Sequence, residues 1–173
     1  MSETLVTVIA IFLAATLMFV FPMMALSERT DDVASLSVQA ATSEFVDNVR
    51  ATGLVTESAY NKYLQTINAT GNTFDVEVEL KILDENLSSK VGQASSSKIG
   101  ENVYYSVYTS QMEDILNSKG KYLLKEGDII SVTAKNTNTT ISQMLRNFFY
   151  AVTGNTSQQI AGQDSAMITA NGK

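Results

Sequence analysis

Acidic side chains recur at every second position in one stretch of this sequence, a spacing that suits cation binding. Asp75, Glu77 and Glu79 alternate with apolar residues in FDVEVEL. In an extended strand they would share one face at intervals of about 7 Å, and Ca²⁺ prefers carboxylate and carbonyl oxygens as ligands. The solvated face of a sheet carries the same pattern. We therefore interpret the row as a solvated sheet face, with a Ca²⁺ site as the alternative.

A serine and a lysine form the other arrangement with catalytic potential. Ser95 and Lys98 have the S-x-x-K spacing of serine–lysine acylases. They lie in a polar, serine-rich stretch over 84–102 rather than at the start of a helix, and no S-D-N or K-T-G element follows. The stretch predicts a loop, and we expect no acylase activity from the pair.

The residue types that are missing exclude most other chemistry. The chain contains no His and no Cys. Disulfides are excluded, as are the usual Zn, Cu and haem ligand sets and every catalytic dyad or triad that needs an imidazole or a thiolate. Catalysis would have to rest on carboxylates, and no pair of acids stands out. We expect no enzyme, no metal and no cofactor.

The charge distribution excludes a further class of partner. All 12 Lys and Arg residues and 17 of the 18 acidic residues lie in 27–173, which gives that part a formal net charge of −5. Nucleic-acid binding needs clustered Lys and Arg to contact phosphates, and no such cluster occurs. We expect no nucleic-acid partner.

An uncharged stretch of 22 residues, Leu5–Leu26, opens the chain and is called the apolar run below. As a helix it would span about 33 Å, against about 30 Å for the hydrocarbon core of a bilayer. A secretory signal usually has a basic start and a shorter apolar region, whereas this chain starts MSET. The sequence predicts a retained transmembrane helix over 1–27 and one domain over 28–173. Cleavage after Ser27, following Ala25 and Leu26, is the alternative.

The helix is expected to continue beyond the membrane. Pro22 predicts a kink within the apolar run, because proline cannot donate to the carbonyl four residues earlier. No Gly or Pro follows until Gly53, so the helix can extend to about Ala51. At 100° per residue its apolar side chains form two stripes on nearly opposite sides. The inner stripe is Val38, Ala41, Phe45 and Val49; the outer stripe is Val33, Leu36 and Ala40. A helix on one domain needs only one stripe, so the outer stripe is expected to contact lipid headgroups or another helix.

The remainder of the chain predicts an α+β domain with a small, mainly antiparallel sheet packed on helices, one flank of the sheet being left for the long helix. The first helix begins at an N-cap, Thr56, and stops near Gly71, and a later one begins with a capping box of Ser110 and Glu113 and ends at Gly120. A further helix over 140–152 is expected to turn Ile141, Leu145, Phe148, Phe149 and Val152 inward. The predicted strands are 74–82, 103–108, 127–135 and 167–170.

In layout the whole chain resembles type IV pilins and pseudopilins. The features that carry the resemblance are Glu3 at the start of the apolar helix, Pro22 about five turns later, the amphipathic continuation over 33–49 and the strands between 74 and 170. GNTFDVEVE and SQMLRNFFYAVTG also resemble the pilin-like proteins of tight-adherence (Tad-type) systems in Gram-positive bacteria. The resemblance implies a structural subunit with an extracytoplasmic domain, assembled with other pilin-like subunits or with copies of itself by an ATP-driven machine.

Within that resemblance, residues of the helix acquire roles in assembly. Glu3 would lie near the N-terminal amine of a neighbour and set the axial register, and Pro22 with the outer stripe would shape helix packing. A glutamate at the headgroup level of an anchor is the simpler interpretation of Glu3. MSET has no leader ending in Gly, and Glu3 lies earlier than the pilin pattern places it, which favours a minor or unprocessed component.

Two other classes of function stay open. The chain could be a membrane-anchored extracytoplasmic module that binds a cell-wall polymer or a protein, or a secreted enzyme with its leader removed. The enzyme would need a carboxylate site that the sequence does not display.

Overall fold

The computed structural model describes residues 2–84, 103–145, 147 and 160–173. The fold is α+β, with one long apolar N-terminal helix followed by short helices and small antiparallel sheets. The elements are α1 (Ser2–Thr52), β1 (Leu54–Thr56), α2 (Glu57–Asn68), β2 (Phe74–Asp84), β3 (Val103–Tyr108), α3 (Thr109–Lys119), β4 (Lys121–Leu123), β5 (Ile129–Asn136) and β6 (Ala161–Met167). A further helix, α4, starts at residue 141, and its described residues are 141–145 and 147.

Helix α1 is a single helix of 51 residues that runs through Pro22 and past the predicted membrane boundary at residue 27. It ends one residue beyond the predicted end. Gly53 then adopts a φ of +66°, and its N–H donates to the carbonyl of Val49 at 2.8 Å. The backbone of 170–172 passes so close to Gly53 that a Cβ would not fit. Glycine thus both stops the helix and lets the C-terminal segment pass.

Helix α2 packs an aromatic face against α1. Thr56 caps it as predicted, its hydroxyl accepting from the N–H of Ala59 at 3.2 Å. Helix α2 ends at Asn68 and a turn leads to Gly71, whose φ is +84°. The ring of Tyr63 stacks on Phe45 of α1 with centroids 4.9 Å apart. The predicted apolar face of α2 therefore forms part of the core.

The main sheet has four strands in the order β3-β2-β5-β6, and every described pairing in it is antiparallel, as predicted. The alternation in β2 places Val78 and Leu80 in the core, opposite Val132 and Ile130 of β5. A second, two-stranded sheet pairs β1 with β4. Each of its strands has three residues, too few for an alternating sequence pattern to predict them.

Helix α1 covers the flank of the main sheet formed by β5 and β6. The four residues of the inner stripe are buried, together with Ala34, and Phe45 among them packs against α2. The helix and β6 approach closely at Gly162, where a Cβ would lie 2.9 Å from the hydroxyl of Thr42 and 3.0 Å from a methyl of Val38. The predicted packing of the inner stripe is confirmed.

The predicted position of the last strand is wrong. We expected 167–170, but the strand is Ala161–Met167. The backbone of Ile168 donates instead to the carbonyl of Asp128 at 2.8 Å, and that of Thr169 to the carbonyl of Arg50 at 3.1 Å. Small and polar residues dominate AGQDSAM, so its sequence carries little strand pattern.

Two local predictions about helices are also wrong. At the start of α3, the side chain of Gln111, rather than the pair Ser110 and Glu113, accepts from the N–H of Tyr108 at 3.1 Å. In α4, Ile141 is 58% exposed instead of facing inward, because Ser142 and Gln143 occupy the inner side. Leu145 is half-buried. Of the predicted loop over 84–102, Asp84 is the last residue of β2, and 85–102, with the pair Ser95 and Lys98, lie outside the described residues, as do Phe148, Phe149 and Val152.

Candidate functional site

The apolar run of α1 projects from the folded domain. Its large side chains are mostly exposed, Phe12 and Phe19 each at 75%. By length and composition α1 is long and apolar enough to cross a membrane, and the described residues contain one such helix, its apolar window entirely unburied within the chain. The run therefore needs lipid or protein around it.

The outer stripe is a second exposed apolar surface on α1, at the level of the domain. Val33 is 60% exposed and Leu36 72%, and Ala40 is exposed as well. At 3.6 residues per turn the outer stripe lies roughly 150° around α1 from the inner stripe. Leu26, 67% exposed, precedes Val33 on the same face. The polar segment 27–32 lies between the apolar run and the outer stripe, and its exposed Arg29 is on this same face. What covers the outer stripe stays a prediction.

Charged side chains end this surface after Ala40. Glu44 pairs with Lys62 of α2 at 3.2 Å, and Asp47 pairs with Arg50 at 3.2 Å. Both pairs are largely exposed, so each contributes little to stability. Their effect is to confine the exposed apolar surface of α1 to the turns next to the apolar run.

Polar contacts on the inner side fix the orientation of α1 relative to the sheet. The hydroxyl of Thr42, fully buried, donates to the carbonyl of Val38 at 2.8 Å and lies 3.1 Å from that of Tyr63. The amide of Gln39 binds both backbone groups of Gln163 in β6, at 3.0 Å each. Because one side of α1 is fixed in this way, the outer stripe is presented in a defined direction.

Glu3 and Pro22 both lie within α1 and are exposed. The carbonyl of Glu3 accepts from the hydroxyl of Thr7 at 2.8 Å, a bond that involves no carboxylate. Pro22 has no N–H to donate to Met18. The structure places both residues on the apolar helix together with the outer stripe; the kink at Pro22 and the register role of Glu3 stay predictions.

The acidic row has the surroundings of a sheet face. Asp75 and Glu77 are exposed, and Asp75 lies opposite Lys135 in β5. Glu79 accepts from the hydroxyl of Ser106 at 2.7 Å and lies 3.8 Å from the amine of Lys81. Nowhere in the described ranges do three acidic side chains come together as a metal would require.

A groove of about 590 Å³ opens beside the two-stranded sheet, at the end of α1 away from the apolar run, and is called the distal groove. Its lining combines apolar and charged side chains: Ile82, Leu83, Tyr105, Ile115, Tyr122, Leu123, Asp84, Lys119, Lys121, Lys125 and Asp128. Buried Asp128 is structural, since its carboxylate accepts from the backbone N–H of Leu83 at 2.8 Å and of Lys125 at 2.7 Å. Sequence reasoning missed this groove, although an aspartate directly after Gly127 is a turn signal.

Two buried tyrosines have perturbed ionisation. Burial raises the pKa of Tyr60, and its hydrogen bond to Glu113, 2.9 Å long, raises the pKa further. Burial also raises the pKa of Tyr63, while its bond with Thr42 acts in the opposite direction. Both rings belong to the core between α1 and α2, where each contacts the ring of Phe45.

No protein-family model, curated protein or solved structure matches this chain. What the structure establishes is an α+β fold in which a long, exposed apolar helix carries a domain on one side of its second half.

Proposed function

We propose that this chain is a structural subunit, of the minor pilin or pseudopilin-like kind, of a bacterial surface filament or secretion apparatus, and that it assembles through α1. The observation that carries the proposal is the exposed apolar surface of α1, which consists of the apolar run and, beyond the polar segment 27–32, the outer stripe. The domain packs on the opposite side of the same helix and leaves this surface free for neighbouring helices.

The free energy gained on assembly depends on whether the apolar surface of α1 is transferred from water or from lipid. Apolar burial contributes about 25 cal/mol per Å² relative to water, which would favour a helix bundle over an exposed helix. Lipid already covers such a surface, so transfer from a bilayer into a bundle yields much less. An assembly machine is therefore part of the proposal. Its partners are copies of this chain or other pilin-like subunits.

The proposal includes a membrane topology for the chain, which follows from the pilin-like layout. The apolar run spans the membrane once, the domain lies on the extracytoplasmic side or at the cell surface, and Glu3 sets register with a neighbour. The subunit catalyses no reaction and binds no cofactor. The absence of His and Cys supports this, because the common nucleophilic and metal sites need them.

Intact mass and N-terminal sequencing of the native protein test the proposal directly. Membrane, sheared and soluble fractions of the cells are compared. We expect the chain in sheared, sedimenting assemblies with the apolar run still present. A mature protein that starts at Glu28 would overturn both the subunit and the anchor, because neither can form without the run.

The distal groove favours a second candidate, a membrane-anchored extracytoplasmic module that binds a cell-wall polymer or a protein. The groove lies near the C-terminal end of α1, away from the apolar run. Lys119 and Lys121 at its rim suit anionic groups, and Tyr105 and Tyr122 offer apolar contact. Recovery of the chain only as a membrane-bound monomer would favour this function over assembly.

A further inference from the structure

In the described part of helix α4, polar side chains face the protein and apolar side chains face outward. Its polar residues Ser142 and Gln143 are 0% and 7% exposed, whereas Ile141 and Met144 are 58% and 55% exposed. Ile141 and Met144 are three residues apart and therefore lie on the same face of the helix. Exposed apolar side chains that lie side by side are a candidate surface for contact with lipid or protein.

A direct bond fixes the start of α4 to the lower part of α1. The hydroxyl of Thr140 donates to the carboxylate of Asp31 at 2.7 Å and accepts from the N–H of Gln143 at 3.2 Å, so both functions of the hydroxyl are used. Around this bond, residues 138–142 and 70–72 line a cleft of about 370 Å³ together with Leu26, Ser27, Thr30 and Asp31. Helix α4 thus begins at the level of 26–31 of α1.

That level corresponds to the surface of the bilayer. The apolar run ends at Leu26, where the hydrocarbon core would end. The headgroup layer of one leaflet is about 5 to 8 Å thick, which a helix rising 1.5 Å per residue crosses in roughly three to five residues. Residues 27–31 therefore lie among the headgroups, and Thr140 lies among them too. Ile141 follows Thr140 directly, and Met144 lies one helical turn later, its N–H donating to the carbonyl of Thr140 at 2.9 Å.

We infer that Ile141 and Met144 form a second membrane contact, through which α4 rests on the same bilayer that α1 crosses. The inference depends on the proposed membrane-spanning role of α1. The bilayer is the occupant because the pair follows the point where the chain's own helix leaves the lipid. Asp31 and Asp32 place negative charge nearby, so the contact relies on apolar insertion and forms on zwitterionic lipid.

A second contact would fix the orientation of the domain relative to the membrane. One spanning helix would leave the domain free to tilt, whereas a second contact beside the first restricts tilt and rotation. The outer stripe then points along the membrane plane, toward neighbouring helices. The second contact thus presents the assembly surface before assembly begins.

Site-specific fluorescence tests this contact cleanly, because the chain has no Cys and no Trp. Met144→Cys and, separately, Ile141→Cys are labelled with an environment-sensitive fluorophore in the full chain, reconstituted singly into phosphatidylcholine nanodiscs. We expect blue-shifted emission and several-fold stronger quenching by lipids that carry a nitroxide near the headgroup than in the control. The control is Leu123→Cys, 51% exposed in β4 beside the distal groove.

A label at Leu26→Cys distinguishes failure of the second membrane contact from failure of the membrane-spanning helix. Quenching at Leu26 without quenching at Ile141 or Met144 would overturn the second contact and leave the membrane-spanning helix in place. No quenching at Leu26 would overturn the spanning helix itself. A blue shift at Met144 without lipid quenching would mean that protein covers the pair, which would also overturn the inference.

Discussion

The side chain of Gln39 on α1 forms two hydrogen bonds with the backbone of Gln163 on β6. Its Oε1 accepts from the N–H of Gln163, and its Nε2 donates to the carbonyl of the same residue, both at 3.0 Å. Strand β6 is an edge of the main sheet. Free N–H and C=O groups on an edge invite pairing with another chain. The amide thus satisfies both backbone groups of one edge residue and joins the helix to the sheet.

Replacing Gln39 with Ala should therefore weaken the attachment of β6 to α1. We expect the free energy of unfolding of the full chain in detergent to fall by about 1–2 kcal/mol, because two hydrogen bonds are lost at an exposed site. Gln39→Glu should also destabilise, since it retains an acceptor for the N–H but sets a carboxylate oxygen against the carbonyl of Gln163. Urea unfolding followed by circular dichroism measures both. Ser37→Ala is the exposed control on the same helix; equal stability of all three variants would contradict the role of Gln39.

Gly162→Ala tests the close approach of α1 to β6. The added Cβ would meet the hydroxyl of Thr42 at 2.9 Å and the backbone carbonyl carbon of Val38 at 3.1 Å. Because a helix backbone cannot yield cheaply, we expect a loss of about 1–3 kcal/mol, typical of overpacking. Ala161→Ser adds one heavy atom at the neighbouring exposed position and should be nearly neutral. Stability unchanged by Gly162→Ala would mean that the helix and strand are less tightly packed than the distances indicate.

Local signals predicted much of this fold from the sequence. Thr56 marks the start of α2, Gly53 ends α1, and the alternation from Phe74 onward marks β2. Each signal acts within a few residues and does not depend on distant packing. Strand β6 lacked such a signal: its Gly162 is there because a helix passes over it, a reason that only the tertiary structure reveals.

The candidate site was predictable to a similar extent. Periodicity alone placed Val33 and Leu36 on the side of α1 opposite the inner stripe, and both are exposed. Periodicity also suggested that Ile141 faces inward, because an apolar residue in a helix is assumed to face the core. That assumption fails where a second apolar environment lies nearby. The bond between Thr140 and Asp31 spans 109 residues of sequence, so no local pattern could have revealed it.

Alkaline pH should destabilise the domain through its buried tyrosines. Burial raises the pKa of Tyr60 and of Tyr63 above the ordinary value of about 10. Below pH 10 both tyrosines are neutral in the folded and unfolded states, and their stabilising contribution is complete. Above pH 10 the unfolded chain loses protons that the folded chain retains, so stability falls as pH rises. We expect the urea midpoint to decrease from pH 10 upward.

Tyr60→Phe identifies the group responsible. The variant loses the bond to Glu113 and should be less stable at pH 8, but its stability should fall less steeply above pH 10. Tyr105→Phe, at a position 51% exposed, is the control and should retain the wild-type slope. A wild-type slope in Tyr60→Phe would show that buried Tyr60 does not cause the alkaline loss.

Leu36→Asp tests the outer stripe as an assembly surface. Leu36 is 72% exposed in the single chain, so the change removes little intrachain packing, and the thermal midpoint of the domain should stay close to that of the wild type. In an assembly, the carboxylate would be buried against a neighbouring helix, which is costly without a partner charge. We expect the variant in the membrane fraction and its near-complete loss from sheared assemblies. Quantitative immunoblotting of the two fractions measures this.

The control must add the same charge to the same helix outside the stripe. Asn48→Asp does so at an exposed position two turns beyond Ala40, among the residues where charges already end the apolar surface. It should assemble normally, because no neighbour is expected to cover that part of α1. Loss of assembly in both variants would indicate a general effect of charge, and normal assembly of Leu36→Asp would remove the outer stripe from the assembly surface. Only loss confined to Leu36→Asp fits an α1 whose one side holds the domain and whose other side holds a neighbour.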